Sequence, residues 1–189
     1  MRIISGAKRG HTLHAPAGLT TRPTSDKVRQ ALFNILGDAT DLTVLDLYAG
    51  TGALALEALS RGARRGVCVE QNGEAWRALS KNVEALGFSD RVTLLRLPVL
   101  KALPLLAKQQ QKFDWILIDP PYQCSDLTTL LPALLDAELL AEAGIIVLEH
   151  DTATQAQAAA QLIEYDSRRY GRTILSFYSR PIDQGADSR

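Results

Sequence analysis

Cysteine is scarce in this chain: two in 189 residues, Cys68 and Cys124. They have neither the spacing of a metal-binding set nor the density of a disulfide-stapled secreted scaffold, which fits a reducing cytoplasm, and Cys68 reads as core. Long hydrophobic runs are also lacking. Stretches such as Ile145 to Leu148 are far too short to cross a bilayer, and the opening MRIISGAKRG has no apolar block behind its charges. The expectation is a soluble, cytoplasmic protein with no membrane partner. Repeats and low-complexity tracts are absent too, apart from an Ala/Gln-rich, helix-like piece from Thr154 to Gln161. Net charge is nil, with 21 basic and 21 acidic residues, yet the zero hides an asymmetry. Residues 1–40 carry Arg2, Lys8, Arg9, Arg22, Lys27 and Arg29 against Asp26 and Asp38. A locally basic arm of this kind suits an anionic partner, although on charge alone it is equally a solvated surface.

What is present is ample for one core. At 46% hydrophobic and this length, a single compact domain spanning 1–189 is expected, acting as a monomer. The segment RPTSDKVRQALFNILG offers Thr24 or Ser25 as N-cap, Asp26 in the first turn, apolar Val28, Leu32, Ile35 and Leu36, and Gly37 as the stop. It predicts a helix within 23–37. Short β-rich runs then alternate with helical patterns. TVLDLYA, GVCVE, RVTLLRL and FDWILID alternate with helices from Gly52, near Glu74 to Leu86 and near Val99 to Lys108. A helix near Asp126 to Leu140, the run GIIVLEH, another helix, and the runs LIEYDSRRYG and RTILSFYS complete the pattern, with Gly171 between the last two marking an antiparallel hairpin. Seven such strands make an α/β fold with a mostly parallel sheet covered on both faces. Ligands are expected beyond the carboxyl ends of its strands.

The first strand-to-helix junction, VLDLYAGTGALALEAL, places Gly50 and Gly52 where missing Cβ atoms let backbone N–H groups approach a ligand. Gly50, Gly52 and Ala55 satisfy the dinucleotide pattern G-x-G-x-x-A, and Glu70, ending the next strand, lies near the ~20-residue offset at which an acid binds ribose hydroxyls. NAD is therefore one candidate cofactor. Asp46, inside the first strand and four residues before Gly50, favours S-adenosylmethionine instead, because it can pair with an amino-acid ammonium that NAD lacks there.

The fourth strand ends in DPPY, for which hydride transfer offers no use. An exocyclic amine of a purine or cytosine is a poor nucleophile, its lone pair being delocalised into the ring. An Asp119 carboxylate and a Pro120 carbonyl that each accept one N–H favour a pyramidal nitrogen with its lone pair free to attack a methyl group. Pro120 and Pro121 have fixed φ and no N–H, so the loop is stiff and supplies few competing donors. Tyr122 offers a face on which an extruded base can stack. Taken alone, Pro-Pro would merely end a central strand.

With these residues in view, the chain resembles the RsmD-type methyltransferases, which modify the exocyclic N2 of a guanine in bacterial 16S ribosomal RNA. The resemblance rests on RIISGAKRGHTLHAP, RPTSDKVRQALFNIL, DLYAGTGALALEALSRGA, FDWILIDPPY and RRYGRTILSFY, and so spans nearly the whole chain. It implies a class I methyltransferase fold, S-adenosylmethionine as donor, and a base flipped out of rRNA or a small ribosomal subunit. The expected cofactor set is Asp46, Tyr48, Ala49, Gly50, Thr51, Gly52, Leu54, Glu70, Gln71 and Val99. The expected catalytic set is Asp119, Pro120, Pro121 and Tyr122, with no metal. Lys8, Arg9, Arg22, Lys27 and Arg29 form the expected RNA-binding set, within a hairpin-like extension over 1–22 that the sheet can close without; His11 and His14 decorate it without a proton-transfer role. One departure is visible: Pro98 stands where such enzymes often carry an acid for the adenine amine, leaving the backbone of Val99 to meet the adenine edge. An adenine-N6 methylator of DNA or RNA shares the same chemistry. A non-catalytic RNA-binding protein with a retained cofactor fold is the alternative from another class, against which intact Asp46, Gly50, Gly52, Glu70 and Asp119 argue.

Overall fold

The computed structural model describes residues 1–16, 26–121, 127–152 and 161–181. After an N-terminal hairpin the order is α1 (Asp26–Leu36), β1 (Thr43–Leu47), α2 (Ala53–Ser60), β2 (Arg65–Val69), α3 (Gly73–Ala85), β3 (Val92–Leu95), α4 (Val99–Lys108), β4 (Phe113–Ile118), α5 (Leu127–Asp136), β5 (Leu140–Asp151), β6 (Ile163–Tyr170) and β7 (Thr173–Ser179). The seven strands lie in the order β3-β2-β1-β4-β5-β7-β6. Neighbours from β3 through β5 are parallel, while β7 is antiparallel to both β5 and β6. This is the class I methyltransferase fold. Strand order reverses between β1 and β4, and such a switch point opens a crevice at the carboxyl edge.

Period-two alternation divides the core between the two faces of the sheet. On β1, Val44 turns to one cluster with Leu32 and Phe33 of α1, Leu56 of α2 and Leu79 of α3, while Leu45 and Leu47 turn to the other with Leu103 of α4 and Leu130 of α5. Asp46 alternates with Leu45 and Leu47, so it shares the face covered by α2. That places a carboxylate under the helix that follows the glycine loop.

Two expectations are corrected. The helix expected as far as Leu140 stops at Asp136, where Glu138 takes φ 51° and ends the run. β5 then begins early, at Leu140, with a register shift opposite Phe113 and Trp115. Thr24 and Ser25, and the helix expected around 154–161 except for Gln161, lie outside the described residues.

The N-terminal extension is hairpin-like as expected, with an antiparallel bridge between Arg2 and Thr12, but it is not an appendage. Ile3 and Leu13 are buried in the core, and the Ile4 and Ser5 amides donate to the Glu57 carboxylate of α2 at 2.7 and 2.9 Å. The Ala7 and Lys8 amides donate to the carbonyl and hydroxyl of Ser60. Apolar side chains and backbone donors satisfied by α2 make residues 1–14 part of the folded core.

Candidate active site

β1 ends at Leu47, and the chain turns through Tyr48, a non-glycine residue held at φ 62°. Such a conformation costs of order 1–3 kcal/mol and is sustained here by its surroundings. The Ala49 amide donates to the Val69 carbonyl at 3.0 Å and the Gly52 amide to the Ala49 carbonyl at 2.7 Å, so the turn is pinned to β2 and closed on itself. Its two glycines serve different ends. Gly52 has φ 83°, and a Cβ there would lie 2.4 Å from Leu79 Cδ1 and 3.0 Å from Leu56 Cδ1. Packing against α3, rather than approach of a ligand, demands that glycine. Gly50, at φ 57°, would place a Cβ in open space, 3.9 Å from the Tyr48 carbonyl oxygen. It is the glycine that leaves room for a ligand.

Glu70, at the carboxyl end of β2, reaches back to this loop. Its Oε2 accepts the Gly50 N–H at 2.8 Å and its Oε1 the Asn72 N–H at 2.6 Å. A carboxylate has about four lone-pair sites, so two remain for the two hydroxyls of a ribose. Asn72 was not foreseen. Its side chain caps α3 through the Glu74 and Ala75 amides at 2.9 and 3.0 Å, a role that Asn directly before a helical pattern signals. Gln71 between them is exposed.

Asp46 is 1% exposed, and its Oδ2 accepts the Ala55 N–H of α2 at 3.0 Å. Its Oδ1 is buried with no hydrogen-bond partner among the described residues. Burial pushes its carboxyl up to about 8, opposed by the Ala55 amide and assisted by the negative charges of Asp119 and Glu70. Three carboxylates from β1, β2 and the end of β4 thus converge, and the innermost one has a free acceptor. Such a site suits a cationic ligand and disfavours a pyrophosphate.

Asp119 follows β4 and is half-buried, its amide reaching the Leu47 carbonyl at 3.5 Å. Pro120 is half-buried and Pro121 exposed; Tyr122 lies outside the described residues. Asp119 therefore stands beside β1, close enough to Asp46 to raise its pKa. Across the edge, Pro98 is the N-cap of α4 without a side-chain cap, and Val99 is buried at the first helical position. First-turn amides of a helix have no intrahelical acceptor, so the Val99 N–H is suited to a base edge.

Thr51 and Leu54 complete the loop. The Thr51 carbonyl accepts from the side chain of Asn82 at 2.9 Å, Leu54 is buried and Ala49 is 8% exposed. Asn82 also escaped sequence reasoning, although it interrupts the apolar stripe of α3. Buried at 1%, it holds the His14 amide at 2.7 Å and the His14 carbonyl at 3.0 Å, coupling the N-terminal hairpin to the glycine loop. His14 and His11 are exposed, as expected.

The basic set is scattered. Arg29 is fully buried, a correction to its expected RNA-facing role. Its Nη2 donates to the Arg2 carbonyl and to Asp26 at 3.0 Å, and its Nε lies 3.9 Å from Glu57. Burial lowers its pKa while Asp26 and Glu57 raise it. Lys8 sits over the Phe88 ring, at the far end of α2 from Gly52. Arg9 and Lys27 are exposed and, with Arg2, Asp26 and Gln30, line a groove of about 430 Å³ between the hairpin and α1 to which Asp46, Glu70 and Asp119 do not contribute. Arg22 lies outside the described residues. Among the described residues there is no cluster able to hold a metal and no helix long and apolar enough to cross a membrane.

Comparison with known proteins bears on the family and the fold. A family described as "Conserved hypothetical protein 95" matches residues 1–179. The Bacillus subtilis protein YlbH is 36% identical over 182 residues, covering 95% of this chain and 99% of the relative. Escherichia coli ribosomal RNA small subunit methyltransferase D is 34% identical over 152 residues, covering 80% and 75% respectively. The solved structure of the Escherichia coli protein yhhF superimposes with a TM-score of 0.83 at 28% identity, covering 95% of this chain and 97% of that one. On the strength of the family match over residues 1–179 and these relatives, the chain belongs to the RsmD-type methyltransferase family.

Proposed function

We propose that this protein, as a single domain, transfers a methyl group from S-adenosylmethionine to the exocyclic N2 amine of a guanine in 16S rRNA. The observation that carries the reading is the placement of half-buried Asp119 at the end of β4, beside the carboxylates of Asp46 and Glu70. The name of the Escherichia coli relative, a ribosomal RNA small subunit methyltransferase, supports the substrate class. The residues present fit the cofactor: the orphaned Asp46 Oδ1 would take its ammonium, the remaining acceptor sites of Glu70 its ribose hydroxyls, and the open side of Gly50 its approach to the loop. Bound S-adenosylmethionine would supply an electrophilic methyl group whose carbon–sulfur bond breaks as a neutral thioether leaves.

The chain's own contribution is positioning and electrostatics. Asp119 and the Pro120 carbonyl accept the two N–H bonds of the amine, fix its lone pair towards the methyl, and stabilise the positive charge that develops on nitrogen. Asp119 is the nearest base to the proton released once the new C–N bond has formed. Pro121 stiffens the loop, and Tyr122 supplies the stacking face in this reading.

The test is mass spectrometry of rRNA nucleosides from a deletion strain complemented with wild type or Asp119→Ala. Wild type should restore N2-methylguanosine and the variant should not, while calorimetry shows near-normal cofactor affinity for both. An unchanged nucleoside profile on deletion, or full restoration by the variant, would overturn the reading.

A further inference from the structure

The basic residues around Gly171 have no part in the site described above, yet the topology brings them to the same edge of the sheet. β5 runs parallel to β4, with Leu148 opposite Ile118, so its last residue, Asp151, projects beyond the strand end that carries Asp119. β7 returns antiparallel from there, with Thr173 opposite Asp151 and Ile174 opposite His150. The turn joining β6 to β7 therefore lies at the carboxyl edge. It spans from two to three strand spacings from β4, or about 10–14 Å sideways.

Charge is segregated along this hairpin. Glu164 and Asp166 occupy the part of β6 away from the turn, whereas Arg168, Arg169 and Arg172 surround it, and all three arginines are exposed. Scattered charges would suffice to keep an edge strand from pairing with another chain, so that protection does not account for a basic cluster at one end. The turn is also ordered by its own contacts. Gly171 takes φ 65°, the Arg169 Nε donates to the Gly171 carbonyl at 2.9 Å, and Tyr170 packs against the core. Arg168 is paired with Asp166 at 3.0 Å, while Arg169 and Arg172 have no carboxylate partner among the described residues.

We propose that Arg169 and Arg172 bind the RNA backbone beside the target nucleotide, making the β6–β7 turn a substrate-positioning surface at the catalytic edge. This deepens the proposed function and rests on it. A base drawn out of its stack into the site leaves its neighbouring phosphates spread across the strand ends, and guanidinium groups suit phosphate oxygens through paired hydrogen bonds. Lys8, in contrast, lies at the opposite end of α2 and cannot serve the same stretch of RNA.

The experiment compares wild type, Arg169→Ala/Arg172→Ala and Arg169→Lys/Arg172→Lys on a 16S rRNA fragment across a salt series, with cofactor calorimetry alongside. The alanine variant should keep cofactor affinity and the single-turnover rate at saturating RNA. Its half-saturating RNA concentration should rise about tenfold, and the slope of log affinity against log salt should fall by roughly 0.7 to 0.9 per arginine removed. The lysine variant should retain the slope and folds with the same charge. If wild type methylates the fragment and the alanine variant matches it in affinity and slope, the turn is not an RNA contact and the proposed function stands. If wild type neither binds nor methylates rRNA in a fragment or an assembled subunit, the proposed function fails and this inference falls with it.

Discussion

The Ile4 amide donates to Glu57 Oε2 at 2.7 Å, across 53 residues of sequence, and so fastens the N-terminal hairpin to the helix behind the glycine loop. The same fully buried carboxylate accepts from the Ser5 amide at 2.9 Å and the Arg61 Nε at 2.8 Å, with Arg29 Nε at 3.9 Å. Removing a buried charge that others depend on is costly because its partners remain buried without it. Glu57→Ala should destabilise the fold by about 3–5 kcal/mol. Urea unfolding measures this, and a loss below about 1 kcal/mol would mean the hairpin is held by Ile3 and Leu13 alone.

The two glycines of the loop should separate cleanly in stability and binding. Gly52→Ala combines a left-handed backbone with a Cβ 2.4 Å from Leu79 Cδ1, and should cost roughly 2–4 kcal/mol of stability. Adding Leu79→Ala should relieve the steric part of that local clash while opening a cavity of its own. Gly50→Ala meets no packing obstacle and should cost only about 1 kcal/mol in folding, yet weaken cofactor binding because the methyl enters the open side of the loop. Equal losses of stability for the two variants would contradict this division.

Much of this fold was legible from local pattern, since alternating β and helical periods report burial within a few residues of one another. The same pattern located Asp46 within the first strand and Glu70 and Asp119 at strand ends, on adjacent strands that topology brings together. Arg29 was misread because its charge was weighed above its place on the helix. With Val28, Leu32 and Phe33 it falls on the buried stripe of α1, and strict helical spacing would have put it inside. Glu57 carries the matching signal, the single charge in the otherwise uncharged and largely apolar ALALEALS. What periodicity cannot show is their pairing, or that residues 1–14 satisfy donors on α2 and α3. Those contacts join segments 50 to 70 residues apart, and nothing in either segment names its partner.

The Asp46 carboxyl, buried and pushed up to about 8, makes the protein's response to pH specific in sign. Between its ordinary 3.8 and about 8, the folded chain holds one proton at this site that the unfolded chain has released. The folded state binds more protons, so this group's contribution to stability declines as pH rises through that window and is flat above it. Asp46→Asn keeps an acceptor for Ala55 and should abolish that decline. Cofactor binding should run the other way. Pairing with an ammonium requires the ionised carboxylate, so below pH 8 binding releases a proton and affinity should rise up to about tenfold per pH unit. An α-amino group loses its own proton near pH 8, so above that point binding takes a proton up and affinity falls again. The expected profile is a maximum near pH 8. Calorimetry in two buffers of different ionisation enthalpy reads the proton release at pH 6.5 directly. In Asp46→Asn that release should vanish, and affinity at pH 8 should drop about 10- to 100-fold, equivalent to the loss of a charged hydrogen bond of roughly 1.5–3 kcal/mol. Wild-type binding without proton release at pH 6.5 would show that Asp46 stays protonated in the complex and that the ammonium is held elsewhere.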